Sequence, residues 1–151
     1  FGDYEVFSSE EMLYVPIENF NIYFKGFVDA VVKVGDTYHL FDWKTCSWGW
    51  DSRKKAEKLI TYQLTLYKHF FCQKHNIDPK NVETHFALLK RTAKKDRVEI
   101  FRVTSGAKKT ENALKLLYQA IYNITKRFSI KNRLNCHKPY PCKLLNTEHC
   151  P

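Results

Sequence analysis

Glycine and proline are scarce, five of each in 151 residues, and no Ser/Gly-rich linker, internal repeat or low-complexity run divides the chain. That scarcity excludes a collagenous or disordered polymer, and 44% hydrophobic with 27% charged residues leaves a globular protein. Long apolar runs are missing as well: charges interrupt every stretch short of the roughly 18 residues a membrane span requires, and no basic, apolar leader opens the chain. The expectation is a soluble cytoplasmic protein, with no membrane partner. The chain opens on Phe1 inside what reads as folded sequence, as a fragment does. Cysteine is sparse and odd in number, five in all. A chain of this length buries roughly 68–70% of its unfolded surface, so cross-links are not needed and a reducing, intracellular compartment is expected. Acidic residues are outnumbered, 16 against 25 Lys and Arg, leaving a net charge of +9. Such a surplus captures polyanions and puts nucleic acid first among partners, solubility alone being the competing account.

The hydrophobic pattern mixes periods. Residues 4–16 alternate loosely, as a strand does. Residues 22–34 and 37–45 are β-branched and aromatic runs on either side of Gly35-Asp36, which predicts a tight antiparallel hairpin. From Ser52, apolar residues recur at helical spacing through Ala56, Leu59, Ile60, Leu64, Tyr67, Phe70 and Phe71, predicting one helix to about His75 or Asn76, capped by Asp51 or Ser52. Residues 82–90 and 98–103 read as strands joined by a basic turn. A second helix follows, with Ala113, Leu116, Leu117, Ala120, Ile121 and Ile124 on one face. This gives an α/β core over 1–130 and an irregular, cysteine-bearing tail over 131–151.

The hairpin turn carries the chemistry. If Gly35 and Asp36 are its two loop residues, Val34 faces Thr37, and Asp29 faces Asp42. Opposed Cβ atoms in an antiparallel pair are roughly 4.5–5.5 Å apart, where two like charges are destabilising unless positive charge sits with them. Lys44, two residues beyond Asp42, projects from the same face. Phe27 and Val31 share that face, so it does not read as a purely solvated one. Hard oxygen ligands of this kind hold Mg²⁺ or Mn²⁺, which polarises a phosphodiester and lowers the pKa of its bound water, while a lysine can orient that water or meet developing charge. A solvated hairpin face with a surface ion pair is the competing account.

Gly26-Phe27-Val28-Asp29, then Asp42-Trp43-Lys44, then Gln63 and Tyr67 four apart on a helix form an ordered G-x-x-D, D-x-K and Q-x-x-x-Y series. It resembles the PD-(D/E)xK nuclease superfamily, in particular its RecB-like exonuclease branch. The resemblance implies a restriction-endonuclease-like mixed sheet flanked by helices. It also implies a metal-dependent DNA nuclease active on DNA ends or single strands in recombination, repair or phage DNA processing, alongside a helicase or recombination partner. Asp29 and Asp42 become metal ligands, Lys44 the catalytic lysine, and Gln63 and Tyr67 residues that position the strand. Without the resemblance, Gln63 and Tyr67 read as a satisfied core amide and a packed ring. The family also places a glutamate on the first strand; Glu10 is assigned that role as a third metal ligand, with Glu11, Glu5 and Glu18 as competitors. An inactive nucleic-acid-binding module and a structural subunit of a nuclease–helicase complex are the alternative functions.

Trp48 and Trp50 follow the D-x-K strand, where they can stack on bases or pack in the core. Lys90, Arg91, Lys94, Lys95 and Arg97 form one basic cluster, and Lys126, Arg127, Lys131 and Arg133 another, a collective footprint for phosphates or solvated turns. Cys136, Cys142 and Cys150 are placed like the three C-terminal ligands of the iron–sulfur cluster in AddB-type and CRISPR-associated nucleases, with His137 or His149 as possible fourth ligands. Iron–sulfur, zinc and free thiols all remain open there. Cys46 and Cys72 read as ordinary small buried residues.

Overall fold

A single five-stranded mixed sheet, in spatial order β1-β2-β3-β4-β5, organises the N-terminal part of the chain. The computed structural model describes residues 2–128, 142–144 and 146–148. The strands are β1 (Glu5–Pro16), β2 (Tyr23–Val34), β3 (Thr37–Cys46), β4 (Val82–Lys90) and β5 (Val98–Val103). The helices are α1 (Ser52–Lys55), α2 (Lys58–His75) and α3 (Ala107–Thr125). The chain divides into two compact units, Phe1–Lys115 and Leu116–Pro151. The first holds the whole sheet with α1 and α2, and is the α/β, restriction-endonuclease-like arrangement the sequence predicts.

The hairpin forms as expected. Gly35 takes the left-handed φ of 56° that a two-residue loop asks of glycine. Pairing then runs from Val34↔Thr37 out to Ala30↔Phe41. β3 and β4 are parallel, Tyr38↔Val82 through Cys46↔Lys90. Parallel neighbours require a crossover, and α1 with α2 supply it.

The helix predicted from Ser52 onward is interrupted. Asp51 accepts a hydrogen bond from Lys54 N at 2.7 Å and caps α1, but Glu57 adopts an extended backbone, φ −61° and ψ 125°, and the chain nucleates again as α2. Only Ala56 gives the first segment an apolar anchor, and its lysines are drawn elsewhere: Lys55 pairs with Glu99, and Lys54 Nζ lies 4.8 Å from the Trp50 ring centre. α2 ends at Asn76 in the left-handed conformation, its N–H bonded to Cys72 O.

α2 packs on one face of the sheet. Leu64 meets Phe86, Leu88 and Val103, with Trp50, Ile60, Tyr67 and Phe101 around them. Each fully buried leucine or phenylalanine contributes roughly 1.5–3 kcal/mol, so this layer is the main source of stability in the unit. The alternate positions of the strands, among them Met12, Tyr14, Tyr23, Phe27 and Trp43, are exposed on the other face, where Tyr14 and Tyr23 stack at 4.6 Å. In α3, Ala113 and Ile121 are buried while Leu116 and Ile124 are exposed, so its apolar stripe is wider than the part it buries. Among the described residues no helix is long and apolar enough to cross a membrane.

Candidate metal and catalytic site

The strand pleat breaks where the first aspartate stands. Val28 and Val31 are both fully buried although they are three apart, which a regular strand places on opposite faces. The interruption therefore falls at Asp29–Ala30. β2 pairs with β3 only as far as Ala30↔Phe41, and Asp29 spans the gap with its side chain: Oδ2 accepts the backbone N–H of Trp43 at 2.6 Å. The same break explains why Phe27 is half exposed rather than sharing a buried face with Val31.

Asp42 faces α2 and is only 3% exposed. Its Oδ1 accepts a hydrogen bond from Gln63 Nε2 at 3.0 Å. Lys44 Nζ lies 2.6 Å from Oδ2, an ion pair that is the partner of this buried oxygen. Burial pushes the Asp42 carboxyl above the ordinary aspartate range; Lys44 pulls it down and the charge of Asp29 adds to the rise. Two carboxylates that repel each other, one of them buried and balanced by a single lysine, form a donor set that fits a hard divalent cation.

α2 presents its glutamine and tyrosine to this point as a pair. Gln63 Nε2 also lies 3.1 Å from Tyr67 Oη, so one amide ties the tyrosine to Asp42. Gly26 makes room for the ring: a Cβ built there would lie 2.8 Å from Tyr67 Cε1 and 3.2 Å from Phe24 Cε1. The G-x-x-D glycine and the Q-x-x-x-Y tyrosine are thus two halves of one contact.

A model of the PD-(D/E)XK nuclease superfamily matches residues 3–151, nearly the whole chain. The chain belongs to the PD-(D/E)XK nuclease superfamily. Among solved structures, one described as the crystal structure of SSO0001 is similar with a TM-score of 0.50 and 13% identity, over 79% of this chain and 50% of that one. The likeness is one of fold, and the chain spans about half the length of that relative. No curated protein matches it.

As a member of this nuclease superfamily the chain brings Asp29, Asp42, Lys44, Gln63 and Tyr67 together around one point. Glu10 is placed differently. The flanking pairs Ser9↔Ala30 and Glu11↔Val28 put it across from Asp29 in register, but it is exposed and has a left-handed φ of 52°. Glu11 is the buried acid of β1. Ser8 Oγ donates to it at 2.6 Å, and Lys74 Nζ and His75 Nε2 each lie 2.7 Å from its Oε1. Burial opposes its ionisation, yet these partners outweigh burial and hold its carboxyl down at about 2. Cys142 is an exposed free thiol, whereas Cys136, Cys150, His137 and His149 lie outside the described residues. Cys72 is buried, its thiol pushed up to about 11 by desolvation, while Cys46 is only half-buried.

The tryptophans divide between the two roles open to them. Trp50 packs in the core against Phe86 and Phe101, with ring centres 5.4 and 6.1 Å away, and Trp48 is 76% exposed. Of the basic clusters, Arg91, Lys94, Lys95 and Arg97 are exposed, while Lys90 turns toward Glu99 at 3.7 Å. A different basic feature escapes the sequence: a cleft of about 570 Å³ lined by Lys55, Lys58, Arg102, Lys108 and Lys109, with Thr104. No run announces it, because its cations come from four separate segments.

Proposed function

We propose that the protein is a Mg²⁺- or Mn²⁺-dependent deoxyribonuclease of the RecB-like branch, acting as an exonuclease on DNA ends or single strands. The observation that carries this reading is the buried Asp42 carboxylate, its pKa raised by burial and by Asp29 and its charge paired with Lys44 at 2.6 Å. Asp29 and Asp42 would hold the divalent ion, whose chemistry when bound is to polarise the phosphate and acidify a water. Gln63 fixes the Asp42 carboxylate through Oδ1 and keeps its other oxygen turned away from α2's amide. Lys44, released from its pairing with Asp42, orients the attacking water or meets the charge that develops on the phosphate. The exposed Trp48 supplies an aromatic surface for an unpaired strand, and the Tyr67 hydroxyl, held by Gln63, helps position that strand. The cationic cleft offers a track for the phosphate backbone.

Cleavage of end-labelled linear and circular DNA, single- and double-stranded, with Mg²⁺, Mn²⁺ or EDTA tests the reading. Linear substrate should be degraded from its ends with either metal and spared in EDTA. Lys44→Ala should lose roughly 10²–10⁴-fold in rate while DNA affinity is retained. Cutting in EDTA, or by Lys44→Ala at the wild-type rate, would overturn the assignment. Salt-sensitive binding with no product under any metal would leave a binding module.

A further inference from the structure

On the sheet face opposite Asp42, three metal-binding side chains converge. His39 alternates with Leu40 and Asp42 along β3 and so projects to the other side; Glu83 and His85 stand two apart on β4 and share that side. The parallel register sets His39 directly against Glu83. His39 Nδ1 lies 3.1 Å from His85 Nε2, and Glu83 Oε2 is 3.7 Å from each of these nitrogens. Arg102 on β5 holds the other Glu83 oxygen, Oε1, at 2.9 Å. Both histidines are buried.

We propose that His39, Glu83 and His85 form a zinc site, separate from the acidic pair and built into the β3–β4 ladder. A tetrahedral Zn²⁺ with bonds of about 2.0–2.1 Å to nitrogen and oxygen keeps its ligand atoms about 3.3 Å apart. The three observed separations fall within about 0.5 Å of that spacing, and the imidazole that donates in the His39–His85 hydrogen bond gives up its proton when the ion takes its place. A hydrogen bond between two neutral imidazoles accounts for the His39–His85 contact. It leaves one carboxylate oxygen 3.7 Å from both nitrogens, beyond hydrogen-bond range. The donor chemistry selects the ion: two imidazoles and one carboxylate suit zinc, whereas Mg²⁺ prefers an all-oxygen octahedron. Arg102 is the outer partner that fixes the carboxylate, as partners of metal ligands commonly do. With three protein ligands among the described residues, the fourth position can take water. The bound ion ties β3, which carries Asp42 and Lys44, to β4 independently of whether the acidic site cuts DNA.

The test uses the full chain, kept reduced and stripped with chelator, with zinc and cobalt as probes. In the ¹⁵N-labelled wild type, one equivalent of Zn²⁺ should shift His39 Nδ1 and His85 Nε2 and leave His69 and His75 unmoved. In calorimetry, Asp42→Asn should keep one tight Zn²⁺ equivalent, and His85→Gln or Glu83→Gln should each weaken it by about tenfold or more. Co²⁺ in this site should show visible ligand-field bands without thiolate charge-transfer absorption. The proposal is overturned if the two imidazole nitrogens do not respond to zinc, or if His85→Gln and Glu83→Gln bind it like wild type. It is equally overturned if cobalt reports sulfur ligands, since the ion then sits on the tail cysteines. The imidazole shifts are read on the unaltered protein, so variants that fail to fold do not decide the matter.

Discussion

Asp42 and Glu11 are buried carboxylates on the α2 side of the same sheet, and their surroundings drive them in opposite directions. Glu11 meets Lys74, His75 and the Ser8 hydroxyl; Asp42 meets one lysine and a second acid. For Glu11 the folded pKa, about 2, lies below the ordinary 4.5, so its contribution is fully present above pH 4.5 and is lost as the pH falls toward 2. Glu11→Gln should therefore lower stability at pH 7 by on the order of 3 kcal/mol and approach wild type near pH 2, checked by urea denaturation across that range. Asp42 has the reverse sign: its folded pKa is raised, so the ionised group opposes folding as the pH climbs through that value. Asp42→Asn should raise Tm by a few degrees at pH 7 while abolishing cleavage, the trade expected of a site kept strained for function. A drop in Tm would show that the Lys44 pair stabilises more than burial costs. The aspartates and Lys44 were legible as neighbours because a two-residue turn sets the hairpin register, and Gln63 and Tyr67 as a pair because they stand four apart on a helix. That the two groups meet came from the family resemblance alone, since the Gln63–Asp42 contact is tertiary. Glu11, not Glu10, is in phase with the buried Leu13 and Val15, so the period-two alternation of β1 already distinguishes the two acids. His39, Glu83 and His85 were hidden, because only the parallel register, set by tertiary packing, brings residues 39 and 85 together.

Elements behave more simply than residues in this fold, and where they depart from the sequence reading the causes are contacts distant in the chain. β-branched runs, the Gly35 turn and the αL stop at Asn76 are all encoded within a few residues, so the strands and the end of α2 follow from sequence. The break at Ala56–Glu57 does not, because it depends on Lys55 finding Glu99 on a strand more than forty residues away. The interruption of β2 at Asp29 is likewise set by the Trp43 N–H reaching a carboxylate across the hairpin. Gly26 belongs to the same strand and couples it to α2. Gly26→Ala should cost roughly 1–3 kcal/mol, because its Cβ would overlap the Tyr67 ring 2.8 Å away, with Phe24 close behind. Thermal unfolding of Gly26→Ala, Tyr67→Ala and the double variant should show less than additive loss, since removing the ring removes the clash. Strict additivity would mean that the strand moves instead and that the contact does not link β2 to α2.

At the scale of the whole molecule, a net charge of +9 explains attraction to nucleic acid without saying where the strand lies. Two basic features compete for it. The turn holding Lys94 and Lys95 is exposed and contiguous in sequence, whereas the cleft gathers Lys55, Lys58, Arg102, Lys108 and Lys109 around a concave surface. A concave site brings several ammonium and guanidinium groups to one backbone at once, while a turn presents them at diverging angles. If five phosphates are neutralised, the logarithm of the association constant should fall against the logarithm of salt concentration with a slope of about −4.5 for duplex or about −3.5 for single strands. Replacing Lys58 and Lys108 together by alanine should make that slope shallower by about two and weaken all DNA sequences alike. The same change at Lys94 and Lys95 should leave the slope where it was. At saturating DNA both double variants should cut at the wild-type rate, because the charges removed hold the backbone and do not touch the Asp42–Lys44 pair. Fluorescence anisotropy over a salt series, read beside single-turnover cleavage, separates these outcomes, and a slope that responds only to the turn would move the strand out of the cleft.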